Sequence, residues 1–222
     1  ISKAGTQPII GTQINFTFEG NVGLLPLIAI NESGYKRILD LSSKSYLLNE
    51  SSIDPSLDLS ELLINTDGII IFSGTIRGFF GKLFSKGKNE DIIKIYKKLF
   101  SVFNDRFYLE IQRHGDISEI DFEKFNLKQS SELKIPIIAT NEVFYINKDM
   151  YDAHDALMCI GEKTYINEKN RFKFTDQHYF KSNNEMEKLF SDLPEALQNN
   201  YNLPLRCSFR PEASDPVLPN IS

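Results

Sequence analysis

Polar Gln13, Asn15 and Thr17 alternate with apolar Ile14, Phe16 and Phe18 along residues 8–18. That two-residue period predicts a strand with one covered face. Glu19-Gly20-Asn21-Val22-Gly23 reads as a turn, and residues 24–30 as a second strand, which Pro26 places near an edge or entry point. A helix opens at Ser33 and runs to residue 48, with Ile38, Leu41 and Tyr46 at apolar positions. A short helix over 57–65 follows Asp54-Pro55. The unbroken apolar run 68–72 ends at Ser73-Gly74, the signature of a strand buried on both faces. Residues 78–84 read as helical. Asn89 then caps a helix to residue 103, with Ile92, Tyr96, Leu99 and Phe103 at helical spacing and Ile93 and Phe100 beside them. Strands at 106–112 and 135–140 flank a helix over 120–133. Further helices are expected at 149–160, from Ser182 through 190, and for a turn or two over 194–200.

From Ile69 onward strands and helices alternate, which gives a parallel α/β sheet or barrel. Pro211, Pro216 and Pro219 mark residues 209–222 as an extended linker leaving a domain of residues 1–208. The chain opens on Ile1 with a helix end, a loop and a strand already under way. It therefore reads as a fragment lacking earlier strands, with an open sheet edge and reduced stability as expectations. Apolar residues make up 41% and charged residues 25%, which excludes a disordered chain. No apolar run approaches the ~20 residues of a membrane span. A net charge of -5 leaves no global basic footprint for nucleic acid. Cys159 and Cys207 are too few for a disulfide framework and lack metal-type spacing, so a reducing cytoplasm is the simplest location.

In parallel α/β folds the working groups follow the C-terminal strand ends. Glu110, Gln112 and His114 follow one such end, Asn141 and Glu142 another, and Gln13 lies in the first strand. A His and carboxylate metal site would need several of these to converge. His114 is the best placed of the three histidines. His154, within an amphipathic helix, reads as a ring hydrogen-bonded to neighbours, His178 as an ordinary surface residue, and Cys159 as core. Gly74-Thr75-Ile76-Arg77-Gly78 reads as a tight turn, with an anion cradle as the other possibility. No phosphate-binding glycine motif or nucleophile elbow is present. The residues alone name no function.

Several stretches carry a resemblance: Pro8-Ile9-Ile10-Gly11, Asn31-Glu32-Ser33-Gly34-Tyr35, the run from Arg106 to Gly115, Ile135-Pro136-Ile137-Ile138-Ala139-Thr140-Asn141-Glu142, Asp152-Ala153-His154-Asp155-Ala156-Leu157, Tyr179-Phe180-Lys181-Ser182 with Glu185-Met186, and the run from Leu189 to Ala196. In this order they resemble the polymerase-and-histidinol-phosphatase (PHP) domain of bacterial DNA polymerase III alpha subunits, of proteobacterial type. The resemblance implies a distorted seven-stranded α/β barrel, here incomplete because the first strand or strands precede residue 1. Metal-binding members hold divalent ions at the barrel mouth and hydrolyse phosphoesters. This sequence departs from that ligand pattern: Gln13 stands at the acidic position, Leu24 and Phe144 stand at histidine positions, and the first His-x-His would precede residue 1. Glu110, His114 and Glu142 are the remaining potential ligands.

An amide, a leucine and a phenylalanine cannot supply the donors that hold a multi-metal cluster. The expectation is a mouth with no metal and no catalytic residue, a scaffold that docks a proofreading, epsilon-type exonuclease subunit. The full-length protein would be a DNA-directed DNA polymerase using Mg in its palm, meeting DNA, the sliding clamp and other holoenzyme subunits, with no membrane. An active metal-dependent phosphoesterase or 3'-5' exonuclease is the alternative. An unrelated α/β enzyme binding a small anion at Gly74 to Gly78 is the third.

Overall fold

The computed structural model describes residues 2–48 and 55–212. Its elements are β1 (Gly11–Phe18), β2 (Asn21–Ala29), α1 (Glu32–Leu47), β3 (Ser56–Asp58), α2 (Leu59–Ile64), β4 (Ile69–Phe72), α3 (Phe79–Ser85), α4 (Asn89–Phe103), β5 (Phe107–Ile111), α5 (Ile117–Leu133), β6 (Ile137–Ala139), α6 (Tyr151–Gly161), α7 (Asn183–Leu189) and α8 (Pro194–Arg206). The strands form one mixed sheet in the order β3-β1-β2-β4-β5-β6. β1 and β2 are an antiparallel hairpin turning at Glu19-Gly20, both with positive φ. β2 meets β4 antiparallel, whereas β4, β5 and β6 run parallel. Among the described residues the sheet has six strands, and no pairing joins β3 to β6.

Composition explains the layers. β4, β5 and β6 are buried at every position, as parallel strands covered by helices must be. α4 turns Ile92, Ile95, Tyr96, Leu99 and Phe103 onto the sheet. Tyr96 stacks edge-on against Phe80 at 4.6 Å and against Phe107 at 5.6 Å. Each such side chain contributes roughly 1.5–3 kcal/mol when fully buried. The Tyr96 hydroxyl is satisfied inside the core by donating to Asn126 Oδ1 at 2.9 Å. α1 approaches the entry to β4 closely at Gly34: a Cβ there would lie 1.8 Å from the Gly68 carbonyl oxygen.

Several expectations change. Pro26 lies in an inner strand, not at an edge. β4 pairs only with Leu27–Ala29 of β2, so no ladder bond to β4 is lost at Pro26. Tyr46 is 63% exposed; Ser45, not Tyr46, faces inward in that turn of α1. Lys88 occupies the cap position of α4, so Asn89 is its first helical residue and not its cap. β3 replaces the start of the expected 57–65 helix, and Asp58 caps α2 by accepting from the Ser60 amide. α5 starts three residues earlier than expected, capped by Asp116. α8 runs on to Arg206 with Pro204 in its last turn, and Asn199 donates to the Ile137 carbonyl of β6. After α8, the Ser208 amide donates to the Ile30 carbonyl at 2.9 Å and Phe209 stacks on Tyr35. The expected linker lies outside the described residues from 213 onward.

Candidate functional site

The parallel strands all end on one side, and the chain leaving them builds the mouth. After β4 comes Gly74, φ +80°, and a tight turn in which the Gly78 amide donates to the Thr75 carbonyl at 2.9 Å. That turn aims Arg77 across the mouth. A cavity of about 190 Å³ opens there with Gln13, Leu24, Arg77 and Glu142 among its walls. Gln13 and Leu24 come from opposite strands of the β1–β2 hairpin, and Glu142 follows β6. Three of the expected positions therefore converge. Glu110 lies in an adjoining, almost filled cavity that shares Gly74 and Thr75.

Most of the remaining donor atoms are already engaged. His114, fully buried, has its Nδ1 2.8 Å from Glu119 Oε1, while its Nε2 accepts the Glu142 backbone N–H at 3.1 Å. This arrangement assigns the proton to Nδ1, and the lone pair a metal would need is committed to an amide. Glu142 Oε2 receives the Arg77 guanidinium at 2.9 Å. Glu110 Oε1 accepts from the Thr140 hydroxyl and from Gln112 Nε2, and Gln112 also donates to Thr140. Burial, with help from nearby Glu142, pushes the Glu110 carboxyl above the usual carboxylate range. Its Oε2 is buried with no hydrogen-bond partner among the described residues. Asn141 holds the next segment in place, donating to the Tyr179 carbonyl at 2.8 Å and accepting from Lys181 Nζ.

His178 is not a surface residue. The Phe144 amide donates to the His178 carbonyl and the Phe180 amide to the Tyr145 carbonyl, a short parallel bridge that draws the 175–180 segment onto the end of β6. His178 is thereby 1% exposed and stacks flat on His114, ring centroids 4.0 Å apart and planes 3° from parallel. Its Nδ1 lies 3.1 Å from the Glu142 carbonyl oxygen, so the two imidazoles grip the Glu142 backbone from both ends. Burial, reinforced by His114, Arg77 and Lys181, pulls the His178 pKa down to about 3. Phe144 stacks on the His154 ring at 5.2 Å and packs against Phe174 and His178. The ring contacts of His154 are aromatic, where hydrogen bonding is the sequence expectation. Cys159 is buried, as expected.

Arg77, Glu119 and His178 thus shape the mouth without standing out in the sequence. Glu119 lies five residues beyond His114, on the first turn of α5, and that spacing is the one local signal. Against the metal cluster that the resemblance implies, the residues do not fit. The mouth offers an amide, an isobutyl group and a carboxylate paired with a fixed cation, and its histidine lone pair is spent. Among the described residues no three His, Cys, Asp or Glu side chains gather in a metal-holding group.

Comparison with known proteins sharpens the picture. The family model described as "PHP domain" matches residues 1–114. The chain is 40% identical over 221 residues to a protein of Rickettsia prowazekii named DNA polymerase III subunit alpha, covering 99% of this chain and 19% of that protein. It is 36% identical to the protein of that name from Caulobacter vibrioides, covering 98% of this chain and 20% of the relative. A third, from Borreliella burgdorferi, is 34% identical over 231 residues, with 98% and 20% covered. The chain spans about a fifth of the length of these relatives. No helix among the described residues is long and apolar enough to cross a membrane. With the family model running from the first residue through the β1–β2 hairpin and β4 to the His114 strand end, the chain belongs to the PHP domain family.

Proposed function

We propose that this chain is the PHP portion of a bacterial replicative DNA polymerase alpha subunit, and that it serves DNA-templated DNA synthesis as a scaffold without hydrolytic chemistry of its own. The polymerase activity, with Mg in the palm, and contacts with DNA, the sliding clamp and other holoenzyme subunits would belong to the full-length protein. The relatives' name and the near-complete coverage of this chain support membership in that subunit. One observation supports loss of hydrolysis above the others: the Glu142 carboxylate is tied to Arg77 and His114 Nε2 to a backbone amide. A phosphoesterase mouth needs open coordination positions for water and phosphate.

The scaffold role includes docking of an epsilon-type proofreading exonuclease. A barrel of the PHP type, of which the six-stranded mixed sheet is part, would provide its surface. The test joins two assays on the full-length protein. Hydrolysis of bis-p-nitrophenyl phosphate with Mn present is expected at the level of buffer, and the exonuclease subunit is expected to co-elute on gel filtration. Mn-dependent turnover abolished by Glu110→Ala would establish the phosphoesterase alternative. Separate elution would remove the docking role.

A further inference from the structure

We propose that Arg77 is the resident cation of this mouth: its guanidinium stands where a divalent ion would sit and clasps the 171–178 segment over the strand ends. The inference rests on the non-hydrolytic reading above and assigns a residue to it. Arg77 Nη2 lies 2.9 Å from Glu142 Oε2, and Nη1 lies 3.6 Å from Asp116 Oδ2. The guanidinium carbon is 4.7 Å from the Phe174 ring centroid and 5.5 Å from that of Phe172. Three separate pieces of chain thus converge on a side chain carried by the turn after β4: the cap of α5, the stretch following β6, and the segment following α6.

The chemistry of these partners selects a guanidinium over a metal. A divalent ion needs lone pairs all round and keeps water where they are lacking. Aromatic faces supply none. A planar guanidinium donates hydrogen bonds from its edge and stacks its face on rings, which is the pattern of two carboxylates beside it and two phenylalanines against it. Leu24, which could not ligate an ion, lines the same cavity as this cation, and Phe144 packs on the Phe174 ring that the cation faces. Removing the cation would leave Glu142 half-buried and unpaired beside the raised, buried Glu110, a costly arrangement. Thr175, in the clasped segment, donates its hydroxyl to the His114 carbonyl at 2.6 Å, so the clasp also fixes the histidine stack.

Hydrogen exchange read by mass spectrometry on the full-length protein tests this, at the peptides containing the Phe144 and Phe180 amides. R77M keeps the volume and the apolar contact with Phe174 but removes the charge. At least a tenfold loss of protection is expected in R77M and in E142Q, with the double variant no worse than the poorer single and R77K losing less than R77M. Protection in R77M equal to wild type, or losses that multiply in the double variant, would overturn the proposal while leaving the non-hydrolytic reading in place. If R77M does not fold, E142Q decides alone: lost protection at those amides supports the clasp and unchanged protection overturns it. Added Mn that raises protection at the same peptides in wild type would instead overturn the non-hydrolytic reading, and the clasp with it.

Discussion

Acidification is the sharpest perturbation of the histidine stack. His178 titrates near 6.5 in an unfolded chain, whereas burial against His114, with Arg77 and Lys181 nearby, lowers it to about 3 in the fold. Between those values the unfolded state binds a proton on this ring and the folded state does not. Stability therefore falls as pH drops from about 7.5 toward 3, and the contribution is intact above pH 7.5. At roughly 1.4 kcal/mol per pH unit, the full gap is worth up to about 5 kcal/mol, and the loss at pH 5 is about 2 kcal/mol. Urea unfolding at pH 8, 6.5 and 5 measures it. His178→Phe, which preserves a flat ring over His114 but cannot titrate, starts less stable because the bond to the Glu142 carbonyl is gone. Between pH 8 and 5 it loses about 2 kcal/mol less than wild type. Equal slopes for the two proteins would refute the reasoning, as would an NMR titration placing His178 above pH 5.

Other expectations follow from single contacts. Glu110→Gln keeps the acceptor for Thr140 and Gln112 and removes an unpartnered carboxylate oxygen, so urea midpoints at pH 7 are expected to show stability within about 1 kcal/mol of wild type or higher. Gly34→Ala drives a Cβ onto the Gly68 carbonyl oxygen and costs on the order of 3 kcal/mol, read by thermal melting. Tyr96→Phe removes the donor to Asn126 Oδ1 inside the core and costs about 1–3 kcal/mol in the same assay. Ser182→Ala breaks the capping box with Glu185 and costs about 1 kcal/mol, with increased exchange confined to α7.

Local pattern carried the elements whose burial is decided locally. The runs of Ile69–Phe72 and Ile137–Ala139 and the stripe of α4 are readable because periodicity and full burial leave a direct mark on composition. Short or terminal features left none: three residues of β3, the six residues of α8 beyond Asn200, and Pro26 in an inner strand depend on what neighbouring elements happen to reach. At the mouth, Glu110, His114 and Glu142 are legible from the rule that chemistry follows strand ends, and Gln13 and Leu24 from the resemblance. His178 is not, because its burial is produced by a bridge between Tyr145 and Tyr179 thirty-four residues apart. Arg77 hides for the same reason: as a sequence it is one residue of a Gly-bounded turn, and its partners lie on three other segments.

The central claim is that protein groups have taken over the positions of a metal cluster at this mouth. Diffraction from crystals soaked in manganese, with anomalous maps at the manganese edge, addresses it site by site. The account predicts no peak beside Glu110 or Glu142 and a guanidinium density joined to the Glu142 carboxylate. Two or more strong peaks bridged by those carboxylates, with Arg77 swung away, would contradict it.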